Sequence, residues 1–198
     1  MAKNRNLIRN TSYNFKLRKR PSLFVGTYII LATLIIKLTI EGFTTEASPF
    51  GFLTVNYLES FIVIITALTF LFSLLALFFG NRKHQRKIGF KLWNRNSKKS
   101  LLLLIAFVAL LYFIEFYLLR IGEEQFIISA FLIGYGILLM SLNFSKSKAL
   151  FVFSMISICI GFIPLFVKGF GFYSLFTLGI SHYVFSFVKN KFHEDSIQ

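Results

Sequence analysis

The apolar positions of this 198-residue chain neither alternate nor recur at every third or fourth residue; they run on. Six continuous apolar runs, at residues 23–40, 57–80, 100–119, 125–142, 149–167 and 170–188, lie near the length of about 20 that an α-helix needs to cross a hydrocarbon core about 30 Å thick. Barrel strands would read as segments of about ten residues alternating in polarity, which these are not. The pattern predicts an all-α polytopic membrane protein with six transmembrane helices. Short connections after the third, fourth and fifth runs make antiparallel neighbours, so the spans read as three antiparallel hairpins. The first run follows a basic stretch, as a signal peptide does, but about 18 apolar residues exceed the usual h-region and suit a retained span.

Charge adds orientation. The chain carries 22 Lys and Arg against 8 Asp and Glu, a formal net charge of +14. A basic face of that size would suggest nucleic acid, yet the cations lie between apolar runs, and no nucleic-acid partner is expected. Nineteen fall in the 1–22 segment, the 81–99 loop, the turn after the fourth run and the 189–198 tail, all on one side of six spans. Cytoplasmic loops retain Lys and Arg, so both termini are expected in the cytoplasm. The expected domains are a basic cytoplasmic segment at 1–22, a membrane domain at 23–188 and a cytoplasmic tail at 189–198. Only Lys37, Arg120 and Lys168 fall toward the other side, with Glu41, Glu46, Glu59, Glu115, Glu123 and Glu124. The 81–99 loop combines eight cations with Ile88, Phe90, Leu92 and Trp93, which suits anionic lipid headgroups at about 1 kcal/mol per cation. The 41–56 connection, with Phe43, Phe50, Phe52 and Leu53, suits an interfacial loop.

Small and weakly polar residues at helical spacing mark helix contact faces. The second run has Glu59, Ile62, Thr66, Thr69, Ser73, Ala76 and Gly80 on one seam; the fifth has Ser154, Ser157, Gly161 and Pro164; the sixth has Gly171, Ser174, Thr177 and Ser181. Close packing explains these stripes, and a polar solute path is the competing explanation. The single Cys159 falls mid-run and reads as a small buried residue.

Candidate chemistry rests on ionisable groups inside or at the edge of spans, where charge costs a few kcal/mol. Lys37 and Glu115 both lie about 21–22 Å from the cytoplasmic edge at 1.5 Å per residue. Lys37 is therefore the expected partner of Glu115, with Arg120 as the fallback and Glu59 and Glu41 completing an outer cluster of opposite charges. His182 lies about 18 Å from the outer edge, roughly 10 Å deeper than Glu115, and reads as an isolated packing histidine. Enzyme templates fail on these residues. A rhomboid protease needs a serine in a Gly-x-Ser-Gly turn on its fourth span, where this chain has Gly134-Tyr135-Gly136. No paired His suits a metal, no glycine-rich loop cradles phosphate, and no catalytic residue, metal or cofactor is expected.

The layout of a basic start, three hairpins, a basic second connection, Gly80-Asn81-Arg82 closing the second run and Gly179 in the last resembles the HdeD-type acid-resistance proteins of the bacterial inner membrane. That resemblance implies a non-enzymatic inner-membrane role linked to stress. The expectation for the chain is an accessory, stress-related or complex-forming component without catalytic function, with a protein partner or a second copy of itself. The competing expectation is a small-solute transporter or a substrate-binding transporter subunit. The charge asymmetry makes one direct prediction: a reporter fused after Gln198 signals from the cytoplasm, and a periplasmic signal would mean an odd number of spans.

Overall fold

A computed structural model describes residues 17–44, 55–87, 95–142 and 148–194. The remaining parts of the basic N-terminal segment, the 41–56 and 81–99 connections and the C-terminal tail lie outside the described residues. Among the described residues the chain is all helical: α1 Lys19–Thr44, α2 Val55–Lys87, α3 Arg95–Arg120, α4 Ile127–Ser141, α5 Lys148–Phe166 and α6 Gly171–Glu194. A short 3-10 turn, Glu124–Phe126, leads into α4. Three stretches, Lys19–Phe43, Tyr57–Lys83 and Ser97–Arg120, are long and apolar enough to cross a membrane, and α4 and Leu150–Phe166 are shorter apolar helices.

Several helices outrun the apolar runs that announce them. Helix α2 continues through Asn81–Lys87, and α3 starts at Arg95, so much of the 81–99 connection is helical. Likewise α1 begins at Lys19, inside the segment read as a separate basic arm. An apolar run measures how far hydrocarbon extends, whereas a helix stops only where its backbone bonding is broken. Lys, Arg and Gln are good helix formers and break nothing. The two fully described connections each turn on a glycine with positive φ, Gly122 at 76° and Gly169 at 82°, a region that residues with a Cβ rarely adopt.

Each helix packs on the next in sequence, and α1 packs along α6, so the six close into a ring. The most extensive contacts are α4 on α5 and α1 on α6. Glycines explain both. On α4, a Cβ at Gly136 would stand 2.7 Å from the Ser154 carbonyl oxygen of α5, and one at Gly161 would stand 2.9 Å from Leu132 Cβ. The Ser157 hydroxyl donates across the same crossing to the Leu132 carbonyl at 2.6 Å. Between α1 and α6, a Cβ at Gly26 would meet the Gly179 carbonyl oxygen at 2.9 Å. Backbones that come this close gain dispersion contacts, which drive helix association where lipid is as apolar as leucine. Helix α4 also touches α2 and α6, and its Phe131, Leu132, Tyr135, Leu138 and Leu139 are fully buried. Phe70 of α2 meets Phe131 and Tyr135 edge-on, with ring centroids 5.7 and 6.3 Å apart.

The stripes divide. Thr66, Thr69 and Ser73 of α2 are buried, as are Ser154, Ser157, Gly161 and Pro164 of α5. On α6 the expected stripe holds only in part: Ser174 is buried, Gly171 and Ser181 are half-buried and Thr177 is exposed, and the buried face runs through Ser174, Leu175, Leu178, Gly179 and His182. Thr177 and Ser181 satisfy their hydroxyls on their own helix, at the Tyr173 and Thr177 carbonyls, and so need no neighbour. Cys159 is exposed rather than buried, because Gly161 and Ser157 turn the other side of α5 toward α4.

Packing at the α4–α5 crossing should decide stability. Gly161→Val is expected to cost about 1–3 kcal/mol through overpacking, whereas Cys159→Val, on the outward face two residues away, should leave the melting temperature in detergent unchanged.

Candidate functional site

Charges gather at one end of the bundle. The last turns of α1 bring Lys37 and Glu41 onto one face, with Lys37 Nζ 3.6 Å from Glu41 Oε1. The same ammonium lies 5.0 Å from the centroid of the Phe172 ring at the start of α6. Together with Glu59 of α2 and Gln125 before α4, these residues surround a cavity of about 520 Å³. Its floor is apolar, made by Ile36, Ile62 and Ile128. Four helices converge here because α1 and α6 end and begin at this level, and Gly171 lets the α6 backbone approach Ile128, whose Cδ1 would stand 2.9 Å from an added Cβ.

The outer cluster expected from sequence is thus partly assembled: Lys37, Glu41 and Glu59 line one cavity. Glu115 and Arg120 do not join it. Arg120 is exposed in the last turn of α3, where a cation favours the helix dipole, and it makes no ion pair with a described residue. Glu115 is fully buried, and its Oε2 lies 3.1 Å from Thr66 Oγ1 of α2. Neither Lys37 nor any other cation among the described residues pairs with it. Equal depth fixes level but not direction. Helix α1 packs on α2 and α6, whereas α3 packs on α2 and α4, so the two charges are turned toward different neighbours.

His182 is not isolated. Its Nδ1 is 2.9 Å from Ser22 Oγ of α1, and its Nε2 is 3.0 Å from the Tyr135 hydroxyl of α4. Ser22 also donates to the His182 carbonyl at 3.1 Å. A serine has one hydroxyl proton, so with that proton on the carbonyl Ser22 Oγ accepts from Nδ1–H, and Nε2 accepts from Tyr135 O–H. One tautomer satisfies every atom. Phe153 covers the imidazole at 4.8 Å between ring centroids, and the side chain is wholly buried. Next to this clamp, Tyr183 and Thr27 tie the same two helices, with their hydroxyl oxygens 2.8 Å apart.

Chemically the clamp is a fastener. In this tautomer the imidazole donates to Ser22 rather than taking its proton, so it does not activate a nucleophile. Among the described residues no group of three His, Cys, Asp or Glu could hold a metal ion. A second cavity, about 400 Å³, lies between α2 and α3 and is lined by Leu68, Leu71, Leu104, Val108 and Tyr112, an apolar groove suited to hydrocarbon.

Sequence reasoning missed Ser22, Tyr135, Gln125 and Phe172. A signal existed for Tyr135: it lies ten residues into the fourth run, about 15 Å from the outer edge and close to the depth of His182. Ser22 was hidden by its place just before the first apolar run. Ser22→Ala and Tyr135→Phe should each destabilise the protein by about 1–3 kcal/mol, because each orphans a buried ring nitrogen. With His182→Phe already in place, both losses should shrink toward zero in a double-mutant cycle read by thermal unfolding.

The chain matches no protein-family model, no curated protein and no solved structure.

Proposed function

We propose that this is a non-catalytic integral membrane protein of the bacterial inner membrane, with six spans and both termini in the cytoplasm, that works as an accessory or complex-forming component by holding an amphiphile at its outer end. The observation that carries the reading is the cavity of about 520 Å³ ringed by Lys37, Glu41, Glu59 and Gln125 above an isoleucine floor. Two carboxylates against one ammonium leave its wall net negative, and the Phe172 and Tyr173 rings lie beside it. A primary amine suits such a wall through the carboxylates and the ring faces. Apolar surface below suits an acyl chain. An ethanolamine phospholipid combines both, with its phosphate within the reach of Lys37.

The positive-inside rule supports the orientation. Arg82, Lys83, Lys98, Lys99 and Lys148 lie at the end opposite the cavity, where anionic headgroups of the cytoplasmic leaflet attract them. A stress-linked role of the HdeD kind is compatible with this reading and rests on layout alone. Transport is disfavoured by the packing beneath the cavity, where Phe70, Phe131, Tyr135 and His182 are buried and their rings meet edge-on.

Native mass spectrometry of the protein extracted from mixed bilayers tests the proposal. Retention of an ethanolamine phospholipid above phosphatidylglycerol is expected, with occupancy falling about tenfold in Glu59→Gln, an effect of about 1.4 kcal/mol. Equal retention of both lipids, or occupancy unchanged by Glu59→Gln, would remove the proposal. Uptake of a small amine into proteoliposomes would favour the transporter instead.

A further inference from the structure

The least explained group in the bundle is the Glu115 carboxyl, which belongs neither to the lining of the charged cavity nor to the His182 clamp. It is wholly buried between α3 and α2, and its Oε1 has no hydrogen-bond partner among the described residues. Its Oε2 meets only Thr66 Oγ1, at 3.1 Å. Thr66 Oγ1 is also 2.9 Å from the carbonyl oxygens of Ile62 and Val63. One hydroxyl proton therefore faces three acceptors.

Two proton arrangements are open. If Thr66 gives its proton to Glu115, a carboxylate is left inside hydrocarbon with one donor on one oxygen and none on the other, which is the costly case for a buried charge. If Thr66 gives its proton to its own helix, as hydroxyls in membrane helices commonly do, its oxygen becomes an acceptor, and only a carboxylic acid can donate to it. The second arrangement leaves no charge and satisfies the Thr66 hydroxyl fully.

We propose that Glu115 and Thr66 form a proton-binding site within the membrane, in which Glu115 is held as a carboxylic acid whose Oε2–H donates to the Thr66 hydroxyl. Among the described residues no charged side chain bonds to Glu115, and the nearest charged group of residues is Lys37, Glu41 and Glu59 around the cavity on the other side of Ile62. Helix α2 carries Glu59 two turns from Thr66, about 10 Å along the axis, with Tyr57 beyond it and Arg82 and Lys83 at the far end. Helix α4 offers only Tyr135, which is engaged with His182. On α3 itself, Tyr112, Tyr117 and Arg120 are exposed, and Glu123 follows in the turn. None of these bonds to Glu115. Removing the proton places an anion between α2 and α3. Helix α3 is the least anchored of the three long spans, with 17% of its apolar window buried against 44% for α2. Alkali should therefore loosen α3 from the bundle.

Infrared spectra of the purified full-length protein at neutral pH test the site. A carboxylic C=O band is expected in the wild type and should be lost in Glu115→Gln. Thr66→Val should keep the band and move it to higher frequency, because the hydrogen bond is gone. In parallel, the wild-type melting temperature should fall from neutral to alkaline pH, while Glu115→Gln should keep the neutral-pH value and lose that fall. Absence of a Glu115-dependent band, a band unmoved in Thr66→Val, or the same alkaline fall in Glu115→Gln would overturn the proposal. Loss of the band on adding sodium chloride at fixed pH would overturn it as well, by making the site one for a metal cation.

Discussion

An imidazole inside an apolar bundle must find one acceptor and one donor or pay for leaving a ring nitrogen bare, and His182 finds them on two other helices. Ser22 holds α1 and Tyr135 holds α4, so a single side chain of α6 fixes how three helices meet. Hydrophobic burial cannot do this within a membrane, since lipid tails offer apolar side chains the same contacts as protein does. The glycine crossings bring backbones close, and a directed hydrogen bond at each ring nitrogen fixes the register of α1 and α4 against α6. The aromatic layer of Phe70, Phe131 and Tyr135 then packs against an already fixed frame.

Anchoring is uneven around the ring. Helices α4 and α5 interlock through Gly136, Ser157 and Gly161, and α1 with α6 through Gly26 and Gly179. Among the described residues helix α3 has no such crossing, and Gly134 of α4 approaches it near Leu111. Most of its surface is left to lipid, including Leu102, Ile105 and Phe113. The Glu115–Thr66 contact is therefore a large share of what is specific in its attachment, and the neighbouring apolar groove separates α2 and α3 further along their length.

The all-helical build and the three long apolar helices are legible in the sequence because membrane thickness writes itself into run length, and the α2 seam at Thr66, Thr69 and Ser73 is legible because hydroxyls avoid lipid. Pairing is not legible. Lys37 and Glu115 share a depth, but depth is a one-dimensional coordinate, and contact between helices needs the angle around each axis as well. The α6 stripe holds at Ser174 and fails at Thr177 for a related reason: Thr177 and Ser181 can bond their own backbone, so a hydroxyl at helical spacing does not by itself identify the buried face. His182 carried the missing angle. Once its side is known to face α1 and α4, Gly179 and Leu178 fall on the buried face and Thr177 on the exposed one.

The extensive packing of α1 along α6 has a consequence for biogenesis. Of the six described helices, α1 leaves the ribosome first and its principal partner, α6, last. Until α6 arrives, Ser22 and Tyr135 lack their imidazole, and Gly26 presents an unfilled notch to lipid. A chain that ends before residue 171 thus lacks both the imidazole shared by Ser22 and Tyr135 and the helix that fills the notch at Gly26.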